Sequence, residues 1–401
     1  MTASEEQPGS AAHVLELVAN GSAASRADLV RELGLAASTV SLRVQELVEA
    51  GLLAESGEGA SRGGRRPRLL RVADQGAVAL AADLGSHHIR TGAVGLTGDA
   101  LDLDEHAVDL TAGPEPALDA LAGQLAALAE RQRAAGRTVR GVGVGFPGPV
   151  DADGARIIAP SRMPGWHLFP LRDRLADRLG LPVLLDNDAN MMALGEHRAA
   201  HPTRRHLVVV KAGRGIGSGV ISDGRLHRGA RGSAGDISHV RVAESTQLPC
   251  SCGNIGCLET VASGAAIATA LRAKGLAVDS ATDILRLVEN GEPQATTLVR
   301  QAGRDIGAVL AVVVNFFNPE AVILGGALSG AQPLVAAVRG TLYERCLPMA
   351  TSELTITAAV CGPDAGLLGA GHAVLRRPAA ANGPPSPATA DGAPSPAAGR
   401  G

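Results

Sequence analysis

The sequence predicts an α/β protein that carries a small helical domain at its N-terminus. Short apolar runs typical of strands alternate with helical patterns through residues 75–376, which indicates an α/β architecture. Glycine clusters directly follow several of these runs, and such turns let backbone amides approach a ligand, often a phosphate. Residues 1–72 instead show two helices joined by a tight turn. We therefore divide the chain into residues 1–72, residues 75–376 and a tail at 377–401.

The composition is that of a globular protein large enough for two or three domains. The chain has 401 residues, 45% of them apolar, and a formal net charge of -3. Aromatic residues make up 1% of the chain, which argues against stacking platforms for single-stranded nucleic acid. The longest apolar run, Ile306 to Phe317, is too short to cross a bilayer and predicts a buried helix. We expect a cytoplasmic protein without a membrane partner, in which Cys346 and Cys361 are reduced.

The N-terminal segment has the pattern of a helix-turn-helix. Gly34 marks the turn, and the second helix places Val40, Val44 and Leu47 on one apolar stripe. Small polar side chains at the start of such a helix suit entry into a DNA major groove. The predicted DNA-contacting residues of this helix are Ser38, Thr39, Ser41, Leu42 and Gln45.

A Gly- and Arg-rich loop follows and predicts the wing of a winged helix. Its residues Arg62, Arg65 and Arg66 can contact phosphates or enter the minor groove of double-stranded operator DNA. The whole segment holds eight Arg and nine acidic residues, so its positive charge is concentrated in the wing rather than spread over the domain. The alternative is a solvated helical domain that binds another protein.

Residues 75–376 contain the strand and helix patterns of the larger domain. Strands are predicted at 78–84, 141–146, 183–186, 207–211, 217–221 and 321–324, and helices at 115–135, 168–179, 189–199, 259–273 and 294–316. The glycine turns at strand ends predict a nucleotide and substrate cleft, with candidate residues Gly85, Gly213, Arg214, Gly215, Gly325 and Gly326. Residues 377–401 are Pro, Ala, Gly and Ser with almost no large apolar side chain, so we expect them to be disordered.

One short stretch predicts a metal site. His239 is followed by Cys250, Cys252 and Cys257, so one imidazole and three thiols fall within nineteen residues. Three thiolates and a histidine complete the four-coordinate shell that structural zinc prefers. The alternative is that the cysteines are ordinary buried small side chains. Glu259 lies two residues beyond the last cysteine, so a bound metal would also fix its position.

These motifs together resemble the ROK family (repressor, open reading frame, kinase). The matching segments are ADLG at 82–85, GVGVGFPGPVD at 141–151, LDNDAN at 185–190, GRGIGSG at 213–219, GDISH at 235–239, CSCGNIGCLE at 250–259 and ILGGALS at 323–329. The resemblance covers residues 12–376 and implies a two-lobed sugar-kinase fold of the actin-like ATPase class. It includes the N-terminal winged helix that the family's repressors carry and its kinases lack.

The resemblance also implies roles for individual residues. Asp188 would be the general base on the sugar hydroxyl, and Asn187, Asp236, His239 and Glu259 would bind the sugar, with His239 also serving the metal. For Asp188 the alternative from the sequence is an N-cap of the helix that begins at Ala189, and the two roles are compatible.

The sequence departs from the kinase pattern at the phosphate loops. Ser86 and His87 follow Gly85 where kinases have a glycine and a threonine, and Arg214 replaces a threonine. Asp236 and Ser238 stand in a motif that reads ExGH in the family. These departures argue against use of Mg-ATP and favour a transcriptional regulator, a repressor that senses a sugar or sugar derivative as a homodimer or tetramer. An ATP-dependent hexose or N-acetylhexosamine kinase with a fused DNA-binding domain is the alternative. A regulator that responds to a partner protein or a phosphosugar is a third.

Overall fold

The computed structural model describes residues 9–19, 21–58, 68–73, 76–151, 153–154, 156–158, 163–242 and 248–376. Three bodies follow one another along the chain: an N-terminal helical domain and two lobes, each built on a five-stranded sheet. The predicted wing arginines Arg62, Arg65 and Arg66 and the tail at 377–401 lie outside the described residues. The predicted division into residues 1–72, 75–376 and 377–401 stays a prediction.

The N-terminal domain packs three helices against a two-stranded antiparallel ribbon. Its elements are α1 (Ala11–Ala19), α2 (Arg26–Leu33), α3 (Ala37–Glu49), β1 (Leu53–Glu58) and β2 (Arg68–Val72). Ser25 caps α2 by accepting a hydrogen bond from the Asp28 amide, and Gly34 ends that helix at φ 64°. Glycine adopts this left-handed conformation without steric cost, so the turn predicted there is confirmed. The predicted stripe on α3 is also confirmed, because Val40, Val44 and Leu47 are buried.

The first lobe has a sheet of strand order β5-β4-β3-β6-β7. Its elements are β3 (Ala77–Leu84), β4 (His88–Gly95), β5 (Ala100–Ala107), α4 (Pro114–Ala134), β6 (Thr138–Phe146), α5 (Leu171–Leu179), β7 (Val183–Asn187) and α6 (Asp188–Ala200). The first three strands are antiparallel, and β6 and β7 add to β3 in parallel. Helix α4 packs Leu118, Leu121 and Leu125 onto one face of this sheet.

The second lobe repeats this topology with the order β10-β9-β8-β11-β12. It contains β8 (Leu207–Ala212), β9 (Ile216–Ser222), β10 (Arg225–His227), α7 (Leu258–Ala262), α8 (Gly264–Arg272), α9 (Ala281–Glu289), α10 (Pro293–Phe317), β11 (Ala321–Gly325), α11 (Gln332–Arg345), α12 (Pro348–Thr351), β12 (Thr355–Ala358) and α13 (Ala365–Leu375). Again three antiparallel strands come first, and two parallel strands follow.

Helices α6 and α13 cross between the two lobes and meet through glycines. A Cβ atom on Gly195 would lie 1.9 Å from the Ala365 carbonyl oxygen, and one on Gly369 would lie 1.8 Å from the Met191 carbonyl oxygen. No side chain larger than hydrogen fits either position, so the two backbones touch directly. The two contacts are reciprocal, because each helix offers its glycine to a carbonyl of the other.

The six predicted strands are found, and the structure adds strands and helices that lack a clear pattern. The strands β4, β5, β10 and β12 were not predicted, since none forms a long apolar run. The helix predicted at 259–273 is in fact two, because Ser263 leaves the helical conformation and caps α8. The expectation that Ile306–Phe317 is a buried helix was wrong in part, because Phe316 is 91% exposed. Within the described part of the chain, no helix is long and apolar enough to span a membrane.

Candidate effector site and metal cluster

The first turn of α6 lies at the carboxyl end of β7. Asn187 caps the helix, because its Oδ1 accepts hydrogen bonds from the Ala189 amide at 3.0 Å and the Asn190 amide at 3.2 Å. Asp188 is the first helical residue. The sequence had suggested Asp188 itself as the N-cap, and this is wrong, since Asn187 has the extended backbone that a cap requires. Asp188 is thereby displaced into the first turn, where a carboxylate interacts favourably with the helix dipole.

Both carboxylate oxygens of Asp188 have partners. Its Oδ1 accepts from the Ala189 amide at 2.8 Å and from Asn187 Nδ2 at 3.2 Å. Its Oδ2 lies 2.8 Å from Nζ of Lys211, which comes from β8 in the second lobe. The Asp188 side chain is 14% exposed and that of Lys211 25% exposed. The ion pair therefore connects the lobes in a partly desolvated place.

A second carboxylate lies behind this pair. Asp83, near the end of β3, is buried, and its Oδ1 has no hydrogen-bond partner among the described residues. Burial raises the pKa of Asp83, the positive charge of Lys211 opposes that shift, and the negative charge of Asp188 adds to it. For Lys211 burial works towards a lower pKa, but the charges of Asp188 and Asp83 outweigh it, so the net shift is upward and the ammonium stays charged.

A third buried carboxylate, Asp186, fixes the end of β7. Its Oδ2 pairs with Nε of Arg228 at 2.7 Å, and its Oδ1 accepts from Asn190 Nδ2 at 2.9 Å. Because Arg228 follows β10, this contact also joins the two lobes. The Asn187 amide nitrogen Nδ2 donates to the Gly148 carbonyl at 3.1 Å, which holds the loop after β6 beside the same turn.

The loop after β8 rests on the start of α8. The Gly213 and Arg214 carbonyls accept from the Gly264 and Ala265 amides at 2.9 Å each. Arg214 is exposed. Glu259, in α7, accepts a hydrogen bond from the Ile216 amide at 2.8 Å. One carboxylate oxygen of this predicted sugar ligand is thus used to hold the loop.

The predicted sugar residues Asp236 and His239 lie on a loop that packs on β9. The Ser218 hydroxyl donates to the Gly235 carbonyl, and Asp236 Oδ1 accepts from the Ser238 amide at 3.1 Å and from its hydroxyl at 2.5 Å. The Ser238 carbonyl in turn accepts from the Glu259 amide at 2.9 Å. Since β9 also packs on α6, where Gly219 contacts Ala193, these loops and the first turn of α6 share one side of the second lobe.

The four predicted metal ligands come together. The ligand atoms of His239, Cys250, Cys252 and Cys257 all lie within 4.8 Å of one another, with Nδ1 of His239 at 3.4 Å from Sγ of Cys250 and 3.7 Å between Sγ of Cys252 and Cys257. Burial raises the pKa of the Cys257 thiol to about 12. A metal that binds the thiolate would have to displace that proton. The cluster can hold a metal ion.

The predicted nucleotide glycines have packing roles. A Cβ on Gly85 would lie 2.2 Å from the ring of His88, and one on Gly326 would lie 2.5 Å from the Ala212 carbonyl oxygen. Gly325 is buried against Met192 of α6. These contacts explain Gly85, Gly325 and Gly326 without a phosphate, so the nucleotide role stays a prediction.

The predicted DNA-contacting face of α3 is open to solvent. Ser38, Thr39, Ser41, Leu42 and Gln45 are all exposed. Leu42 is 56% exposed, although it is a large apolar residue. Gln45 donates a hydrogen bond to Glu49 at 2.8 Å along the helix. The face is thus available to a partner.

Comparison with known proteins identifies the family. The sequence model of the ROK family matches residues 79–377. The chain belongs to the ROK family. The xylose repressor of Bacillus spizizenii is 29% identical over 364 residues, which cover 90% of this chain and 94% of that repressor.

A solved ROK regulator aligns with a larger share of this chain than a solved ROK kinase does. The crystal structure of a ROK family transcriptional regulator, a homolog of the E. coli MLC protein, has a TM-score of 0.79 at 26% identity and covers 92% of this chain and 95% of its own. A ROK family glucokinase from Streptomyces griseus, in complex with glucose and AMPPNP, has a TM-score of 0.65 at 30% identity. It covers 73% of this chain and 98% of its own. The regulator structure therefore matches more of this chain than the kinase structure does. The chain is a ROK transcriptional regulator.

Sequence reasoning missed three charged residues of the site: Asp83, Lys211 and Arg228. Only Lys211 left a usable signal, because it is one of two lysines in a chain with 37 basic residues and it is the penultimate residue of the apolar strand β8. Asp83 was noted as part of a glycine turn but given no role. The partner of Arg228 is 42 residues away in the chain, and such pairings follow from the tertiary structure alone.

Proposed function

We propose that this ROK regulator is a repressor of sugar-metabolism genes that binds operator DNA through α3 and senses a sugar in the cleft beside Asp188. The observation that carries the proposal is the joining of an exposed polar helix face to a kinase-like body within one chain. Similarity to a xylose repressor over 90% of this chain supports the same assignment. Neutral hydroxyls would bind to Asn187, Asp188, Asp236, His239 and Glu259.

Contacts between the N-terminal domain and the first lobe support a coupling of the two sites. Nη1 of Arg140, on β6, donates to the Ala50 carbonyl at the end of α3 at 3.4 Å. Leu96 packs against both the N-terminal core and the core around α13. Burial lowers the pKa of His13, and the charges of Arg376 and Arg225 lower it further, so these basic groups face α1. A shift of α13 on ligand binding would therefore be transmitted to the DNA-binding domain.

A homodimer would present two copies of α3 to a symmetric operator. The second lobe offers a surface for it, which we call the α10 patch. Its exposed apolar side chains are Val312, Phe316, Tyr343, Leu347 and Met349. Asn315 accepts from the Leu347 amide at 3.1 Å, which places the end of α10 beside this segment. A two-fold contact of such a patch with itself buries apolar area on both copies and closes the assembly.

We further infer that the metal of the Cys/His cluster is zinc. Three thiols and one imidazole match its preferred donors and leave no open position for a water, as in structural rather than catalytic sites. Purified protein should contain about one zinc per chain. Replacing a ligand, Cys257→Ser, should lose the metal and lower the thermal stability, whereas Cys361→Ser, outside the cluster, should retain it. Full zinc content in Cys257→Ser would remove this residue from the ligand set.

The central experiment measures operator affinity with and without sugars. Operator fragments selected from random DNA should bind the full chain, and a sugar or N-acyl sugar should change the affinity by about 1–3 kcal/mol. Thr39→Ala should alter the preferred sequence, because its side chain can reach base edges. Replacing Arg65 and Arg66 by Ala should weaken binding and flatten its salt dependence.

The sugar site is tested separately from the DNA site. Asp188→Asn should abolish the sugar response while leaving unliganded DNA binding intact, and Asp177→Ala, an exposed carboxylate on α5, serves as the matched control. An unchanged sugar response in Asp188→Asn would place the effector elsewhere. Loss of DNA binding without sugar would point instead to a folding defect, which thermal unfolding would detect.

Kinase activity remains the alternative, favoured by the 30% identity to a ROK glucokinase. Departures in the phosphate loops and the ion pair on Asp188 oppose it, since a base held by an ammonium is poorly suited to accept a proton. An ADP-release assay with Mg-ATP and a panel of hexoses and N-acetylhexosamines decides between them. Turnover of about 1 per second or more that Asp188→Asn abolishes would establish the kinase.

A further inference from the structure

Asp83 and Lys211 occupy the same position in the two lobes. In the first sheet Asp83 is the penultimate residue of the central strand β3 and is paired with Gly145 of the parallel strand β6. In the second sheet Lys211 is the penultimate residue of the central strand β8 and is paired with Gly325 of the parallel strand β11. The repeated topology therefore brings a carboxylate and an ammonium to matching strand ends that face one cleft.

Asp188 completes a group of three charges. The position of a Cβ on Gly145 is 3.2 Å from Oδ1 of Asp83 and 3.5 Å from Cα of Asp188, so these two acidic residues are neighbours across one glycine. Two carboxylates so placed at the edge of a phosphate-binding cleft are the donors with which proteins hold Mg²⁺, with substrate phosphates supplying further ligands. In this chain the cation beside them is Nζ of Lys211, at 2.8 Å from Asp188.

We propose that Lys211 is an internal counterion that takes the place of a divalent cation between Asp83 and Asp188. The inference rests on the proposed function and deepens it, because it names neutral sugars, rather than nucleotides with their metal, as the ligands of the cleft. Asp188 is already neutralised, and the lobes are joined, without metal or nucleotide. A neutral sugar can then bind by hydrogen bonds to the cleft, whereas Mg-ATP meets an ammonium where its metal would have to bind.

The charge balance of the cleft supports this. One ammonium faces two carboxylates, and burial together with the like charge of Asp188 raises the pKa of Asp83. With Asp83 protonated the group is neutral, and with Asp83 ionised it carries one negative charge. In neither state do these three groups leave a net positive charge for a phosphate. The charges of Asp188 and Asp83 raise the pKa of Lys211, so the ammonium itself stays charged.

Manganese, a spin-active hard cation with the ligand preferences of Mg²⁺, is the probe. Full-length, zinc-loaded protein is titrated with Mn²⁺ and followed by electron paramagnetic resonance. The unchanged chain should show no Mn²⁺ site that depends on Asp188. Lys211→Met removes the charge but keeps an apolar stem of similar length, and it should gain one Mn²⁺ site at least tenfold tighter than any in the unchanged chain. The double variant Lys211→Met/Asp188→Asn should lose that site again.

Stability provides a second readout that does not need a metal. Lys211→Met leaves the partly desolvated Asp188 without its cation, so the variant should unfold at lower temperature, and adding Asp188→Asn should recover part of the loss. The proposal is overturned by a Mn²⁺ site in the unchanged chain that Asp188→Asn removes, or by a Lys211→Met protein that gains none. A double variant no more stable than Lys211→Met would overturn it too. None of these outcomes bears on operator binding or the sugar response, so the proposed function stands or falls separately.

Discussion

The two lobes share one topology but differ in the side chains and insertions they carry. Both have three antiparallel strands followed by two parallel ones, and each ends in a helix, α6 or α13, that crosses the other. In the second lobe, an insertion lies between the third strand, β10, and the long helix, α10. It comprises residues 228–257, which carry the Cys/His cluster, and the helices α7–α9. Between β5 and its own long helix α4, the first lobe has only the short 3-10 helix Leu110–Ala112.

The matching long helices of the two lobes, α4 and α10, also differ in their exposed faces. Helix α4 has no large exposed hydrophobic side chain, whereas α10 exposes Val312 and Phe316. At the centre, the symmetric strand ends carry opposite charges, Asp83 and Lys211. The repeated fold thus forms the common framework of the lobes, and the departures from the repeat supply the Cys/His cluster, the apolar surface and the ion pair of the cleft. Function is to be sought where the lobes differ.

The largest expected effect comes from breaking the crossing that the lobes share. Gly369→Ala would place a methyl group 1.8 Å from the Met191 carbonyl oxygen, so α6 and α13 must separate. Overpacking against backbone should cost about 3 kcal/mol or more of unfolding free energy, measured by urea denaturation. The matched control is Gly123→Ala, in an exposed position of α4 with open space around it, which should be neutral or stabilising by up to about 1 kcal/mol. Equal stability of both variants would mean that the helices do not touch as described.

A smaller effect concerns the histidines near the ends of the two crossing helices, of which His197 is buried and His372 is partly buried. Burial lowers the pKa of His372, on α13, to about 4. Between pH 4 and 6.5 the unfolded chain therefore binds more protons than the folded one, so the free energy of unfolding falls as the pH is lowered through this range. His372→Gln should reduce that loss by about 1–3 kcal/mol, measured by urea denaturation at pH 7 and pH 4.5.

His197, near the end of α6, provides a comparison for His372. Burial also lowers the pKa of His197, but the Arg204 carbonyl, 2.8 Å from its Nε2, opposes the shift. His197→Gln should therefore flatten the pH dependence less than His372→Gln. The reverse order would show that the carbonyl contact does not offset burial.

The smallest expected effect tests the difference between α10 and α4. Phe316→Glu places a charge in the middle of the α10 patch and should weaken self-association at least tenfold, as measured by sedimentation equilibrium. Ala126→Glu, on the exposed face of α4, is the control and should leave the oligomer unchanged. Dissociation by the α4 variant instead would move the interface to the first lobe.

Much of the fold was predictable because its signals are local. The stripe on α3, the turn at Gly34 and the strand runs that end in glycine depend on neighbouring residues only, and all are found. The metal cluster was equally predictable, since its ligands lie within nineteen residues. The strand β5 was missed because it is largely solvent-facing and polar, so its sequence has no apolar run to mark it.

What the sequence by itself determined is therefore the ROK family membership, the alternation of elements and the composition of the metal cluster. The tertiary structure alone decided which charges meet. Lys211 and Asp188 are 23 residues apart, and Asp83 is more than a hundred residues from either, so no local pattern relates them. They become neighbours because two sheets of the same topology pack around one pair of crossing helices and direct equivalent strand ends into one cleft. Whether a carboxylate there acts as a base or as half of an ion pair depends on that packing.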